Sequence, residues 1–309
     1  MNDALPTLPG AYRWWYVDAI SADGRDALVA IFFSGSVFSP YYAARLRDGR
    51  APRPSEHAAV HVAVYRDGRP WYWHLAERDA GASLRCEGGV LSLGRSSWRV
   101  DAHGRHTLRL DDGARRGVRG EVSFDPLEPP LTREPVVLAP NVADHTWHAR
   151  VPRARVRARF ERPGFSLDAD GYHDTNAGSE PMERALRSWD WARMHTPDGT
   201  SVLYDVVARD GQRFTHRLGA VSAAARASET SQRTGWGIAV PGSLCVPDPT
   251  PVHRIVESTP FYARYFLRDA AGRIGMGESL DLARFDSPVV RWMLRWRTSR
   301  LRPATGVAA

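Results

Sequence analysis

Lysine is absent from this sequence, cysteine is scarce and no long apolar run occurs. All 42 basic residues are arginines, but they form no dense run of the kind found in nucleic-acid-binding proteins. The two cysteines, Cys86 and Cys245, are far apart and lie in no CxxC pair. Their spacing excludes a disulfide framework and disfavours a zinc or redox motif. The net charge of +7 still favours negatively charged surroundings, such as an anionic membrane surface.

Neither a signal peptide nor a spanning helix is recognisable. The N-terminal residues lack the basic start and apolar run of a signal peptide. No segment approaches the roughly 20 apolar residues that a membrane-spanning helix needs. We therefore expect a cytoplasmic protein in a reducing compartment, either soluble or peripheral to a membrane.

The common motifs of nucleotide-binding and hydrolytic enzymes are missing as well. The sequence has no G-x-G-x-x-G after a strand, no Walker loop, no G-x-S-x-G and no H-E-x-x-H. These absences argue against four classes of protein: dinucleotide-dependent enzymes, NTPases, serine hydrolases and zinc proteases. A cofactor-free reaction or a pure binding function remains.

Alternation of apolar and polar residues recurs along the chain and predicts antiparallel strands. Residues 60–75 read as a hairpin with its turn at Asp67 and Gly68. The same pattern recurs in residues 201–218 and 261–280. Short strands with glycine-rich turns are typical of all-β barrels and sandwiches, and their presence in both halves favours two barrels of similar size.

Proline-rich stretches and a change of pattern suggest where the chain divides. A proline-rich stretch at residues 124–140 cannot belong to a central strand, because proline lacks the N–H that a strand ladder needs. We expect a first barrel over residues 1–158, a second over 159–286, and a C-terminal basic amphipathic helix and tail over 287–309.

The C-terminal helix has a clear start signal, because Ser287 can act as N-cap and Pro288 as the first helical residue. Its apolar residues fall at helical spacing and its arginines on another side: Val289, Trp292, Met293 and Trp296 against Arg291, Arg295 and Arg302, with Arg297 and Arg300 adding charge. Such a helix can lie in a membrane interface. Alternatively, it packs its tryptophans against a barrel, and the two arrangements can coexist.

The most informative segment is residues 171–191, because it places an acid among aromatic residues. On a strand, Tyr172 and Asp174 would point to the same side and His173 to the other. Burial among aromatic rings would raise the pKa of Asp174 and keep it protonated, so that it could deliver a proton at neutral pH. The plainer alternative is that these residues end a strand and Asp174 caps a turn.

Two further clusters could contribute to the same pocket. His145 and Trp147 share parity, so both could face it, and the histidine could orient the acid or relay protons. No third ligand accompanies His145 and His148, so we expect no metal site. Aromatic faces stabilise cations, and the sequence offers a cluster of them near its N-terminus, with Trp14 and Trp15.

With these residues in view, the chain resembles the carotenoid 1,2-hydratase (hydroxyneurosporene synthase) family of photosynthetic bacteria. The resemblance covers most of the chain in order and rests on five segments: WWYVDA at 14–19, DHTWH at 144–148, GYHDTNAGSEPMERALRSWDW at 171–191, PFYARYFL at 260–267 and GESLDLARFDSP at 277–288. The third is the most specific. One departure from the family pattern is Ala177, where relatives carry Glu or Trp, and it could alter the width of the pocket.

The resemblance implies a fold, a reaction and a set of site residues. The fold would be all-β, with two consecutive lipocalin-like antiparallel β-barrels. The reaction would be cofactor-independent hydration of the terminal 1,2 double bond of an acyclic carotene, such as neurosporene or lycopene, to a tertiary alcohol. The family's catalytic positions map onto His145, Trp147, Tyr172 and Asp174. We expect a second group to bind the substrate: Trp14, Trp15, Asp18, Asn176, Trp189 and Trp191.

A carotene is insoluble, so the resemblance also gives the basic helix a role. Trp292, Trp296 and the nearby arginines would contact the anionic surface of the inner photosynthetic membrane from the cytoplasmic side. Two other functions remain open from the residues alone. The protein could be a lipocalin-like carrier that binds a polyene without reacting, or a cyclase or isomerase of another polyene on the same fold. We expect no nucleic-acid partner.

Overall fold

The computed structural model describes residues 4–78, 84–113, 117–219, 231–246 and 248–301. Arg302 and the rest of the predicted C-terminal tail lie outside these ranges. None of the helices in the described ranges is long and apolar enough to cross a membrane. The all-β fold class is confirmed, because strands make up most of the described chain.

The first sheet contains the first twelve strands of the chain. Their bounds are β1 Tyr12–Ile20, β2 Ala27–Ser34, β3 Ala59–Arg66, β4 Arg69–Arg78, β5 Leu84–Glu87, β6 Val90–Leu93, β7 Ser96–Val100, β8 His106–Asp111, β9 Arg119–Pro126, β10 Val136–Ala139, β11 Ala143–Arg162 and β12 Phe165–Gly178. All of these pair antiparallel, and β1 lies between β2 and β12. The strand nearest the start of the chain, β1, is therefore paired with β12 from the middle of the chain.

The second sheet is formed by strands from the second half of the chain. The remaining strands are β13 Leu186–Thr196, β14 Gly199–Ala208, β15 Arg213–Gly219, β16 Ser231–Arg233, β17 Ala239–Pro241, β18 Ser243–Cys245, β19 Pro249–Ser258, β20 Tyr262–Arg268, β21 Ile274–Asp281 and β22 Ser299–Leu301. The second sheet has the order β15-β14-β13-β21-β20-β19-β18, while β16 and β17 form a separate ribbon. Strand β22 returns to the first sheet and pairs in parallel with β4.

Three helices and two 3₁₀ turns complete the described fold: α1 Pro40–Arg47, α2 Met182–Ala185, α3 Pro288–Arg297, and 3₁₀ turns at Pro54–His57 and Leu282–Asp286. The hairpins predicted from alternation are confirmed as β3–β4, β14–β15 and β20–β21. Asp67 and Gly68 both adopt positive φ angles, 52° and 66°, as a tight two-residue hairpin turn requires.

The predicted division at residue 158 falls inside strand β11. That strand forms a long hairpin with β12, and β12 pairs in turn with β1, so the whole hairpin belongs to the first sheet. The chain passes from the first sheet to the second between β12 and β13, and it returns to the first sheet only with β22. We propose the division there, between Gly178 and Leu186, because few residues separate the two sheets at that point.

Strand β1 shows how the two sheets share a core, because it is buried on both faces. Trp15 and Val17 point into the core of the first sheet beside Trp98 and Phe124. Trp14 and Tyr16 point the other way, into a core that contains side chains of both sheets. Alternate residues of a strand face opposite sides, so one apolar strand can serve two cores. Asp174 and Asn176 of the segment 171–191 lie at a cavity in this shared core.

Helix α3 begins where the sequence predicts it, with Pro288 in the first position after Ser287. Its buried side chains are Val290 and Leu294, which contact the shared core. The tryptophans do not pack against a barrel, so that alternative is wrong: Trp292 is 60% exposed and Trp296 is 77% exposed. Val290 and Leu294 form the inward stripe because they lie one turn apart, and the tryptophans fall outside it.

Candidate active site

A cavity lies in the shared core, between the two sheets. It encloses about 880 Å³ of space free of protein atoms, including its open mouth. Its walls are mostly aromatic and apolar, with a few polar groups: Trp14, Tyr16, Ile31, Phe33, His61, Trp73, Leu75, Asp174 and Asn176 from the first sheet, and Trp189, Trp191, Tyr204, Glu257, Tyr262, Arg264 and Glu278 from the second. An apolar pocket with few convergent polar groups is the usual form of a small-ligand site.

Asp174 is the acid in this cavity, and it is only 3% exposed. Its Oδ2 accepts hydrogen bonds from Trp147 Nε1 at 2.9 Å and from the Tyr172 hydroxyl at 3.0 Å. Its Oδ1 accepts from Asn176 Nδ2 at 3.3 Å. Strand alternation places residues 172, 174 and 176 on one face of β12, and the pairing of Trp147 with Asn176 brings the indole alongside.

Burial raises the pKa of Asp174 to about 8, because an apolar environment disfavours the carboxylate. The hydrogen bonds from Trp147 and Tyr172 oppose this shift, while the negative charges of Glu278 and Asp18 add to it. The carboxyl group is therefore mostly protonated at pH 7. A protonated carboxyl in an aromatic cavity can donate a proton to a weakly basic substrate.

Asn176 can respond to the protonation state of this acid. Among the described residues, its Oδ1 has no hydrogen-bond partner although it is buried. If the amide turned over, that oxygen would accept a hydrogen bond from the protonated Asp174 carboxyl. That hydrogen bond would form only with the protonated carboxyl, so it would favour the neutral form of the acid.

Most of the residues expected to bind the substrate do line the cavity. Trp14, Asn176, Trp189 and Trp191 all contribute to its walls. Other aromatic rings surround the three tryptophans: Tyr204 lies 5.4 Å from Trp189 and Tyr172 lies 5.3 Å from Trp191, both between ring centroids. The cavity is thus surrounded by π systems on the side of the acid.

Trp15 and Asp18 were expected to bind the substrate, but neither lines the cavity. Trp15 differs in parity from Trp14 and packs in the other core, beyond β1. Asp18 shares the face of Tyr16 but lies further along the strand, where it forms a fully buried ion pair with Arg193 of β13. This pair joins the two sheets, and Asp18 acts on Asp174 only through its charge.

His145 shares parity with Trp147, as expected, but it does not line the cavity. It is fully buried, and its Nδ1 lies 3.0 Å from the Tyr12 hydroxyl, while the Tyr12 ring stacks on Trp14 at 5.2 Å. Gly178 leaves space for it, because a Cβ there would lie 2.3 Å from His145 Nδ1. Burial lowers the pKa of His145 to about 4, so the ring is neutral at pH 7. It positions Tyr12 and Trp14 and does not contact the acid.

His173 points away from the cavity, as its parity predicts. Its Nδ1 lies 2.8 Å from the Tyr16 carbonyl oxygen, and its ring packs 4.7 Å from Trp98 in the core of the first sheet. Asp190 likewise faces away from the cavity that Trp189 and Trp191 line, and its Oδ1 accepts a hydrogen bond from Ser279. Of the two aspartates in the segment 171–191, only Asp174 therefore lines the cavity.

Sequence reasoning missed a second polar group in the cavity wall, formed by Glu257, Arg264 and Glu278. Arg264 and Glu278 lie within segments that resemble the family, PFYARYFL and GESLDLARFDSP. The signal that could have revealed them is a charged residue inside an otherwise apolar strand. In the described part of the chain, no group of three His, Cys, Asp or Glu side chains is placed to hold a metal ion.

Comparison with known proteins assigns this arrangement to a family. Residues 30–305 match the family model described as carotenoid hydratase CrtC. The chain belongs to the carotenoid hydratase CrtC family. The expected hydro-lyase class is thereby confirmed.

The similarity to named relatives extends over nearly the whole chain. The chain is 36% identical to the acyclic carotenoid 1,2-hydratase of Thiocapsa roseopersicina, over 96% of this chain and 75% of that protein. It is 33% identical to the protein of the same name from Rubrivivax gelatinosus, with the same coverage of both chains. The crystal structure of CghA aligns with a TM-score of 0.59 at 13% identity, covering 88% of each chain, which shows a shared fold alone.

Proposed function

We propose that the protein hydrates the terminal 1,2 double bond of an acyclic carotene, giving a tertiary alcohol. The observation that carries this proposal is Asp174, a buried carboxyl with a pKa of about 8 in an aromatic cavity. The relatives named acyclic carotenoid 1,2-hydratase support the substrate class. Water and the carotene are the only reactants required, and we propose that no cofactor takes part.

The proposed reaction starts with proton transfer from Asp174 to C2 of the terminal alkene. Protonation at C2 places the cation on C1, which carries two methyl groups and is therefore the more stable site. Trp147 and Tyr172 hold Oδ2 of the acid in place and stabilise the carboxylate that is left. Hydrogen bonds to the charged form ease the loss of the proton without overcoming the effect of burial.

The aromatic walls would stabilise the cation until water adds to it. Trp14, Trp189 and Trp191 line the cavity, and a cation over such a ring gains roughly 0.5–2 kcal/mol per contact. Water then attacks C1 and loses a proton. Neither Tyr172 nor His145 is placed to hold this water, because Tyr172 donates to Asp174 and His145 contacts Tyr12.

We further propose that helix α3 places the cavity mouth against the membrane that holds the carotene, on its cytoplasmic side. One side of the helix lines the cavity through Leu294. Its outward side carries exposed Val289 and the exposed pair Trp292 and Trp296, whose rings lie 5.7 Å apart, beside exposed Arg295. Exposed tryptophans beside arginines match the chemistry of an anionic membrane interface.

Replacing both Trp292 and Trp296 by alanine should weaken binding to vesicles of mixed neutral and anionic lipid by at least tenfold. The expected cause is the loss of two aromatic anchors that bury little area in the protein itself. The measurement is vesicle flotation at low and moderate salt. Trp71→Ala is the matched control, because Trp71 is also an exposed tryptophan but lies on β4, far along the strand from β22. Equal loss of binding in the control, or none in the double variant, would refute the role of α3.

Incubating the purified protein with neurosporene or lycopene in detergent or vesicles tests the reaction itself. The expected product is heavier than the substrate by one water molecule and carries a tertiary hydroxyl at C1. Activity should survive exhaustive dialysis against a chelator. Tight binding without turnover would identify a carrier instead, and a product of unchanged mass would identify a cyclase or isomerase.

A further inference from the structure

A buried network of charges lines the cavity wall that the second sheet provides. Glu278 Oε1 accepts hydrogen bonds from the Tyr16 hydroxyl at 3.0 Å and from Arg264 Nε at 2.9 Å. Both hydrogen bonds end on this one oxygen, and Glu278 is also a cavity-lining residue. The carboxylate is therefore fixed by strands from both sheets. In the described part of the chain no hydrogen bond to its other oxygen, Oε2, is recorded, so Oε2 can accept one from a molecule in the cavity.

Arg264 connects this carboxylate to a second one. Its Nη1 donates to Glu257 Oε2 at 3.1 Å and also to the Tyr65 hydroxyl, which donates in turn to Glu257. Arg264 is only 2% exposed, so its charge is compensated by these carboxylates and not by water. Two carboxylates against one guanidinium leave the network with a formal net charge of one negative unit at the cavity wall. Such a charge attracts a developing cation strongly when water is excluded.

We propose that Glu278 holds the attacking water and accepts its proton after the water has added to C1. This inference rests on the proposed hydration and assigns the second half of that reaction to the wall that carries Glu278. Asp174 would supply the proton from the first sheet, and Glu278 would deliver the nucleophile from the second. The carotene end would lie between them.

The step balances without any further reactant. A lone pair of the water oxygen forms the C1–O bond, and the resulting oxonium loses one proton to the Glu278 carboxylate. One hydrogen of the water stays in the hydroxyl group of the alcohol, and the other is bound to Glu278. Glu278 then releases its proton to solvent, and the Asp174 carboxylate regains one from solvent, which restores the starting state.

An ion-paired carboxylate is sufficient for this role. An alcohol protonated on oxygen is a strong acid, so even a weakly basic carboxylate accepts its proton readily. The ion pair with Arg264 holds the Glu278 carboxylate in place, because it prevents the carboxylate from rotating toward the cation and forming a bond with it. A strong base in the same place would instead remove a proton from the cation and return the alkene.

Deuterium exchange separates the two halves of the reaction. In D₂O, Asp174 delivers deuterium to C2, and a cation that is not captured by water loses a proton and returns as labelled alkene. We expect Glu278→Gln to lower hydration about 100-fold, in line with the loss of a general base, while alkene labelling stays within about threefold of wild type. The assay is run at pH 6, because removing the charge of Glu278 lowers the pKa of Asp174 and the acid must stay protonated.

Glu257→Gln is the matched control. It also neutralises one carboxylate that is paired with Arg264, but it leaves the hydrogen bonds of Glu278 intact. Its ratio of labelling to hydration should equal that of wild type, even if both rates fall. If Glu278→Gln does not fold, Tyr16→Phe removes one hydrogen bond from the same carboxylate, and it should raise the ratio in the same direction by a smaller factor.

The outcomes distinguish this inference from the proposed hydration. If labelling and hydration fall in parallel in Glu278→Gln, so that their ratio is unchanged, Glu278 is not the base. The Asp174 carboxylate would then accept the proton of the water. Absence of both hydration and labelling in the wild-type protein would overturn the hydration proposal itself.

Discussion

Asp174→Asn should lower the rate of carotene hydration by at least about 10³-fold while polyene binding is retained. General acid catalysis contributes roughly 10²–10⁴-fold in enzymes, and an isolated alkene offers no other route to the cation. The asparagine side chain has nearly the same shape, and its oxygen can accept the hydrogen bonds from Trp147 and Tyr172. The cavity should therefore keep its form and lose only the transferable proton.

Asp190→Asn is the control for this variant. Burial also raises the pKa of Asp190, to about 7, yet the side chain faces away from the cavity and accepts from Ser279. Its loss should leave hydration within a few-fold of wild type. Product formation and the absorption change on polyene binding would be measured for both variants. Comparable turnover by Asp174→Asn and wild type would refute Asp174 as the proton donor.

Asp174→Asn should also stabilise the folded protein at neutral pH. Asp174 ionises with a pKa near 3.8 in the unfolded chain and about 8 in the folded protein. Between those values the folded state holds a proton that the unfolded state has lost, so stability falls as pH rises. Each pKa unit corresponds to about 1.4 kcal/mol, which amounts to an upper limit of about 4 kcal/mol at pH 7. Asparagine does not ionise and avoids this penalty.

Urea unfolding of wild type and Asp174→Asn at several pH values measures this effect. The difference in the free energy of unfolding should grow by about 1.4 kcal/mol per pH unit from pH 5 to pH 8 and then level off. Taking the difference removes the contributions of other buried groups, such as Asp190 and His145, which both proteins share. A difference that does not change with pH would mean that the carboxyl ionises normally in the folded state.

Local alternation predicted the strands and half of the site. The parity of residues 172, 174 and 176 places them on one face of β12, and that face proved to be the cavity face. Alternation alone could not predict which face of a strand lies in the shared core and which lies in the core of the first sheet. Trp14 and Trp15 are equally apolar, and because β1 is buried on both faces, only the tertiary structure separates them.

The other half of the site depends on contacts that no local pattern contains. Tyr16 and Glu278 are 262 residues apart, and Tyr65 and Arg264 are 199 apart. Such pairs arise because the second sheet closes over the first. The alternative in which the tryptophans of α3 pack against a barrel was wrong for a related reason, since the apolar stripe of a short helix is ambiguous until its neighbours are known.

The central claim is that Asp174 remains protonated at neutral pH inside the aromatic cavity. Carbon-13 NMR of protein labelled at the aspartate carboxyl carbons tests it most directly, with Asp174→Asn identifying the resonance. We expect the Asp174 signal to titrate with a midpoint near pH 8 and the hydration rate to fall tenfold per pH unit above it. A midpoint near pH 4 would show a carboxylate at neutral pH and would contradict the account.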